Sequence, residues 1–228
     1  MTMGPGYHLV AVVAALSLVG QTWGQNQKVT PEYLRQLRVQ RVQNPDQFFY
    51  DFSKPVKITQ GPGGSLRTCG IEELPTLAGM GIAVSLVDLK ACAINNPHIH
   101  PRATEFSFIS KAPTSPMMVG IVEENDGRTL GQPVSAGSVT LFPHAMVHFE
   151  FNPSCEDQQF IAAFSSDDPG TETSTFDVLR MPTEAIANAL HLTIAEADAL
   201  VRKQIPGTGP SPGEPECRRR CGLQPTVF

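Results

Sequence analysis

His98-Ile99-His100-Pro101-Arg102-Ala103-Thr104-Glu105 is the stretch on which the reading of this chain turns. Two imidazoles and a carboxylate, all metal-ligand types, fall within these eight positions. In a β-strand residues i and i+2 project from one face, so His98 and His100 can approach a single ion. Glu105 stands five residues past His100, an odd offset that an unbroken strand would turn to the opposite face. Pro101 lacks a backbone donor and marks a strand end or turn. His98 and His100 are therefore expected to close one strand and Glu105 to open the next. Nitrogen and oxygen donors without a thiolate suit manganese, iron or zinc, and lean toward the harder of these ions.

A fourth ligand is expected from GSVTLFPHAMVHFEFN, residues 137–152, which contains Gly137, Pro143, His148 and Asn152. His148 follows a turn at Pro143-His144-Ala145 and opens a strand of alternating character. A lone histidine on a strand is ordinarily a hydrogen-bonded or surface residue. Glu105 and the second segment are what turn the reading toward coordination.

Together the two segments resemble the paired motifs of the cupin superfamily, specifically those of germins and spherulin-like germins. The first family pattern is G-x5-H-x-H-x(3,4)-E-x6-G, matched by His98, His100 and Glu105, with Cys92 and Ala112 in place of its glycines. The second is G-x5-P-x-G-x2-H-x3-N, matched by Gly137, Pro143, His148 and Asn152, with Ala145 in place of its middle glycine. The resemblance spans roughly residues 48–205. It implies an all-β cupin jelly-roll barrel, with one manganese ion per chain held by His98, His100, Glu105 and His148. The activities it implies include superoxide dismutation and oxalate oxidation. Asn95 matches an asparagine that oxalate-oxidising germins place beside the substrate, where it would stand just outside the ligand set. Those germins carry another asparagine ten residues earlier, and this chain has Ser85 there. Serine is shorter, so oxalate oxidase ranks below a dismutase-like or non-enzymatic role. Asn96 is a lesser neighbour of the site.

Four such ligands leave an octahedral ion two positions for water, a small oxygen species or a small carboxylate. Zinc, which favours four ligands, would have none. A rival reading is a secreted structural or stress protein of a spore, cyst or wall that binds metal without turnover. A sugar- or hormone-binding cupin is a third.

The chain has 228 residues, 41% of them hydrophobic, enough for one domain with extensions. A net charge of −5 provides no basic stripe for phosphates, so nucleic acid is not an expected partner. Residues 1–24 read as a cleaved secretory signal, with the apolar run 8–20 too short to span a bilayer and small residues at Thr22 and Gly24. A secreted, extracellular product without a membrane span is expected. That compartment permits disulfides among Cys69, Cys92, Cys155, Cys217 and Cys221. Cys92 and Cys155 flank the two ligand strands, so a Cys92–Cys155 bridge is one expectation. Cys217–Cys221 would then close a small loop and leave Cys69 as a buried thiol; other pairings stay open. The only Asn-x-Ser/Thr triplet, Asn152-Pro153-Ser154, is blocked by its proline.

Along the chain, residues 25–60 read as an N-terminal arm with a short helix from Thr30, capped by Thr30 with Pro31 at its first position. An aromatic cluster at Phe48, Phe49, Tyr50 and Phe52 is expected to seat it. The barrel is assigned to 61–180, with strands at 82–90, 93–100, 105–110, 116–122, 138–142, 147–152 and 159–164 and a loop at Gly61-Pro62-Gly63-Gly64. Helices follow in 181–205, the second opened by the capping box Thr193-Ile194-Ala195-Glu196, and 206–228 reads as a Gly/Pro-rich tail. Phe106 and Phe108, and Val147, Phe149 and Phe151, alternate with the inward positions and must be covered from outside. A homo-oligomer is the expected cover, with packing within the single chain as the alternative.

Overall fold

Alternation of inward and outward residues along 83–89, 105–111 and 158–164 makes each of these runs a strand buried on one face. The structure, a computed structural model, describes residues 48–125, 127–202 and 208–224. The expected signal segment and the helix from Thr30 lie outside the described residues. The strands are β1 (Ile58–Gly61), β2 (Gly64–Cys69), β3 (Ala83–Leu89), β4 (Ala93–Ile99), β5 (Glu105–Lys111), β6 (Met117–Val122), β7 (Thr129–Val134), β8 (Val139–Phe142), β9 (Val147–Phe151), β10 (Gln158–Phe164), β11 (Glu172–Thr173) and β12 (Ser211–Pro212). One sheet runs β1-β2-β3-β10-β5-β8 and the other β11-β4-β9-β6-β7, with β12 added to β4. Val87, Leu89, Ile109 and Phe160 from the first sheet meet Met117, Val119 and Val134 from the second in one core. Burying each large side chain contributes about 1.5–3 kcal/mol. The result is the expected all-β jelly roll.

Each strand expected between 82 and 164 is present, with ends within one residue of the expected ones. Five strands were not anticipated: β1, β2, β7, β11 and β12. Gly61 to Gly64, read as a loop, is the tight turn of the β1–β2 hairpin, with Gly61 opposite Gly64. β7 contains Gly131 and Pro133, which mask its strand character, and it is tolerated as an edge strand. Of the aromatic cluster, Tyr50 and Phe52 meet edge to face at 5.0 Å, whereas Phe49 is exposed.

Four helices follow among the described residues: α1 (Ser174–Val178), α2 (Thr183–Leu190), α3 (Ile194–Arg202) and α4 (Pro215–Arg220). The Thr193 capping box forms reciprocally, Thr193 N–H to Glu196 Oε2 at 2.8 Å and Glu196 N–H to Thr193 Oγ1 at 3.3 Å. α2 and α3 pack on each other through Ile186, Ala187 and Ala197. Part of the segment read as a tail is docked. Ser211–Pro212 pairs with Ile94 and Ala93, and Gly63 N–H donates to Pro210 O at 2.8 Å. A side chain on Gly63 would place its Cβ 2.1 Å from Ser211 O, so this seat requires glycine.

The expected Cys92–Cys155 and Cys217–Cys221 bridges are not formed; the bridges are Cys92–Cys217 and Cys155–Cys221. The docked segment is the reason. Cys217 and Cys221 stand one helical turn apart on one side of α4, so each reaches a different strand end. Cys69 is free and buried, as expected.

The outward aromatic residues divide in two. Phe149 lies over Gly120 and Phe151 packs on Gly213, so the chain covers them itself. Phe106 and Phe108 stay 47% and 40% exposed, opposite Leu141 and Val139 at 56% and 50%. They make one apolar stripe on the outer face of β5 and β8.

Two positions where the family pattern has glycine take left-handed backbone in its absence, Cys92 at φ 61° and Ala145 at φ 57°. That conformation costs a non-glycine residue about 1–2 kcal/mol, and glycine's extra unfolded-state entropy returns part of the difference. Ala145→Gly should therefore stabilise the protein by about 0.5–1 kcal/mol and raise the melting temperature by about 1–4 °C. Thermal unfolding followed by circular dichroism measures this; an unchanged or lower midpoint would show that the turn stores no such strain.

Candidate metal centre

β4 ends at Ile99, the chain turns through Pro101, and β5 begins at Glu105. This break brings His98, His100 and Glu105 to one side, against His148 on β9. His98 and His148 are register partners across the β4–β9 pair. All four residues are buried, and one ligand atom from each lies within 4.8 Å of the others.

The hydrogen bonds set the imidazoles for coordination. His98 Nδ1 pairs with Asn96 O at 2.8 Å, His148 Nδ1 with Met146 O at 2.8 Å and His100 Nδ1 with Gly170 O at 2.6 Å. A carbonyl can only accept, so each Nδ1 carries the proton and donates it. Each Nε2 is left with a bare lone pair. His100 Nε2 and His148 Nε2 stand 2.8 and 3.2 Å from Glu105 Oε2. Two lone pairs facing a carboxylate oxygen at these distances repel one another unless a positive charge lies between them. Ligands about 2.0–2.2 Å from one ion stand about 3 Å apart at right angles, so the donor set fits a divalent cation. Phe142 stacks on His148 at 4.2 Å and Phe164 meets His100 edge-on at 4.6 Å, which holds both rings.

The electrostatics agree. Burial, reinforced by the neighbouring His148, pushes His98 down to about 3, so its ring is neutral and available as a ligand. Burial opposes ionisation of Glu105, but the close approach of the His100 and His148 rings outweighs it and holds the carboxyl well below the usual range.

A cavity of about 140 Å³ opens onto His98, His100 and Glu105. Its other lining residues include Asn95, Ser85, Thr68 and Thr173, the apolar Phe160 and Phe164, and the exposed Thr171 and Thr208. It shares Thr59, Thr68 and Thr171 with an outer hollow of about 270 Å³ that carries Lys57, Glu72, Glu73, Asp167 and Asp168.

Asn95 reaches the cavity although it lies an odd three residues before His98. A register shift in the β4–β9 ladder between these two positions is the cause, since it adds a residue to β4 at the Asn96-Pro97 step. Asn95 Nδ2 donates to Glu150 Oε2 at 2.9 Å. Ser85 also lines the cavity, its hydroxyl 2.8 Å from that of Thr68. Asn96 turns elsewhere, donating to Gly209 O and Ser211 Oγ. Glu150 is the neighbour whose importance the sequence did not signal beyond its shared face with His148. It is fully buried, and its Oε1 has no hydrogen-bond partner among the described residues. Burial, then the charge of Glu105, raise its carboxyl well above the ordinary value, and the Asn95 hydrogen bond only partly offsets them. Thr171, Thr173 and Thr208 come from segments without any sequence motif.

The sign of the Glu150 effect follows from linkage. A raised folded-state value means that the unfolded chain gives up its proton first, so stability falls as pH rises above 4.5. Glu150→Gln keeps the shape, removes the buried acid and should stabilise the metal-free protein by about 1–2 kcal/mol at neutral pH. The gain should shrink toward pH 4.5. His98 acts oppositely, with a cost absent above 6.5 that grows as pH falls toward 3. Urea unfolding of both proteins between pH 4 and 8 tests this; a difference independent of pH would contradict it.

Residues 50–198 match the cupin family. Spherulin-1A of Physarum polycephalum is 32% identical over 179 residues, covering 78% of this chain and 71% of that protein. A putative germin-like protein 3-2 of Oryza sativa subsp. japonica is 30% identical over 174 residues, covering 74% and 76%. Among solved structures, a recombinant oxalate oxidase in complex with glycolate aligns with a TM-score of 0.64 at 26% identity, over 71% of this chain and 82% of that one. With the two-sheet fold and three histidines converging on a glutamate, these matches show that the chain belongs to the cupin family, in its germin and spherulin branch.

Proposed function

We propose that the protein is a secreted manganese-binding cupin. The observation that carries this reading is the convergence of three bare imidazole nitrogens with the Glu105 carboxylate at the base of a cavity. His98, His100, Glu105 and His148 would hold the ion, and their donor set without sulfur favours manganese over softer metals. Bound there, manganese would supply one-electron redox chemistry. The protein's own groups orient the imidazoles through backbone carbonyls, exclude bulk water behind Phe160 and Phe164, and offer Asn95 and hydroxyls to a small ligand. The bridged cysteines and the apolar run 8–20 support a secreted product.

Two readings share this site: redox turnover of superoxide dismutase type, and metal holding without turnover, as in a structural or stress protein. The outer hollow favours the second. Its four carboxylates, against Lys57 and the Arg102 that pairs with Asp168, leave a net negative approach that favours cations over small anions. Oxalate is disfavoured twice, by this approach and by Ser85 in place of a longer donor. Any dismutation should be no faster than that of an equal amount of free manganese; a much faster rate that His98→Ala abolishes would establish the enzyme instead.

Metal content is the primary test. Protein purified without chelators or nickel resin should carry near one manganese per chain, and His98→Ala or His148→Ala should lose at least tenfold. Saturation to a hundred times the dissociation constant stabilises by about 2.7 kcal/mol, so chelation should lower the melting temperature by about 5–10 °C. Zinc or iron at full stoichiometry would overturn the manganese assignment.

Self-association belongs to the same proposal, with a second copy covering the Phe106, Phe108, Val139 and Leu141 stripe. Phe106→Lys with Leu141→Lys should reduce the mass measured by light scattering to that of one chain while circular dichroism stays unchanged. A wild-type monomer at micromolar concentration would remove this part.

A further inference from the structure

Both disulfides join the C-terminal segment to the strands of the metal centre, and they touch. Cys92 immediately precedes β4 and is bonded to Cys217 in α4; Cys155 follows β9 and is bonded to Cys221 at the end of α4. Cys92 Sγ and Cys221 Sγ, which belong to different bridges, are 3.5 Å apart. The sulfurs of Cys92, Cys217 and Cys221 all lie within 4.8 Å of one another. Access is unequal: Cys155 is exposed and Cys221 half-buried, whereas Cys92 and Cys217 are 0% and 1% exposed. Arg220 places Nη2 3.3 Å from Cys217 Sγ and is anchored at 2.6 Å to Pro153 O.

We propose that these four cysteines form a two-step thiol–disulfide relay, in which reduction of the exposed bridge rearranges the buried one. In the first step a dithiol reductant attacks Cys155 Sγ. The Cys155–Cys221 bond breaks, Cys221 leaves as a thiolate, and the second thiol of the reductant releases Cys155 from the mixed disulfide. Two electrons pass from the reductant, which ends as its own disulfide. In the second step the Cys221 thiolate attacks Cys92 Sγ, its contact neighbour. A Cys92–Cys221 bond forms, the Cys92–Cys217 bond breaks, and Cys217 leaves as a thiolate beside the Arg220 guanidinium. No electrons are consumed in this exchange. A cation next to the departing sulfur makes it the better leaving group. Direct attack on the buried bridge is blocked by its burial, so the exposed bridge is its route of access.

The consequence reaches the cavity. The segment that α4 anchors carries Thr208 in the cavity wall, and it is seated by Asn96 and by the β12–β4 pairing. The first step frees β9 from this segment, while the rearranged bridge keeps β4 tied to it. The relay itself requires no metal, so its test is independent of the manganese reading.

The folded wild-type protein is treated with dithiothreitol up to one equivalent, trapped in acid, unfolded and labelled with N-ethylmaleimide, and its bridges are mapped by peptide mass spectrometry. Besides the label on the free Cys69, the expected species carries labels on Cys155 and Cys217 and retains a Cys92–Cys221 bridge. Labels on Cys155 and Cys221 with Cys92–Cys217 intact at every time point would overturn the exchange. Labels on Cys92 and Cys217, or simultaneous opening of both bridges, would overturn the order of access. Arg220→Gln, at an exposed position, should lower the Cys217-labelled fraction severalfold in favour of Cys221; an unchanged fraction would remove the leaving-group role of Arg220.

Discussion

Three hydrogen bonds between imidazole Nδ1 atoms and backbone carbonyls hold the centre of this protein in order. They choose the tautomer, fix each ring plane and leave the three Nε2 lone pairs free for coordination beside the Glu105 carboxylate. Two of them are local, from the carbonyl two residues before His98 and before His148. The third comes from Gly170, seventy residues beyond His100. The loop that delivers it is braced by Arg102, which donates to the Asp168 carbonyl and carboxylate at 2.8 and 2.7 Å. Gly170 has φ 65°, a conformation that favours glycine, and a Cβ there would meet the Arg102 guanidinium at 2.8 Å and push it from its place on Asp168.

The surroundings of the centre are uneven in charge. Glu105 and Glu150 are both buried, yet their environments drive them in opposite directions, one toward the carboxylate and the other toward the neutral acid. Two ionised carboxylates so close in a low-dielectric interior would repel strongly, and the His100 and His148 rings beside Glu105 decide which of them keeps its charge. Asn95 links the two regions, since it lines the cavity and donates to Glu150. Among the described residues the wall of the cavity is otherwise hydroxyl and apolar, without a lysine or arginine, so positive charge for a ligand there would have to come from an ion held by the histidines.

The C-terminal segment makes the barrel more than a pair of sheets. It adds a short strand to β4, covers Phe151 and supplies both partners for the strand-end cysteines. A bridge tying the two motif strands directly was a reasonable expectation, because Cys92 and Cys155 do lie side by side, with Cys92 N–H donating to Ser154 O at 3.0 Å. The tie exists, but it runs through α4. That arrangement makes the integrity of one wall of the cavity depend on sulfur chemistry at the surface.

The local features were legible in the residues themselves. The His-x-His spacing, the break at Pro101, the alternation in seven strands and the capping box at Thr193 each depend on interactions within a few positions, and each is present as expected. β7 escaped notice because glycine and proline, which mark turns, also occur in edge strands. The features that escaped altogether join residues far apart in the chain: the Gly170 carbonyl behind His100, the acid pair of Glu105 and Glu150, the seat of Thr208 and the pairing of the cysteines. Periodicity reports which face a side chain takes and when a strand ends. Distances between remote segments are set by how two sheets and a returning terminus pack, so the sequence alone named the four candidate ligands, and only the tertiary structure decided what surrounds them.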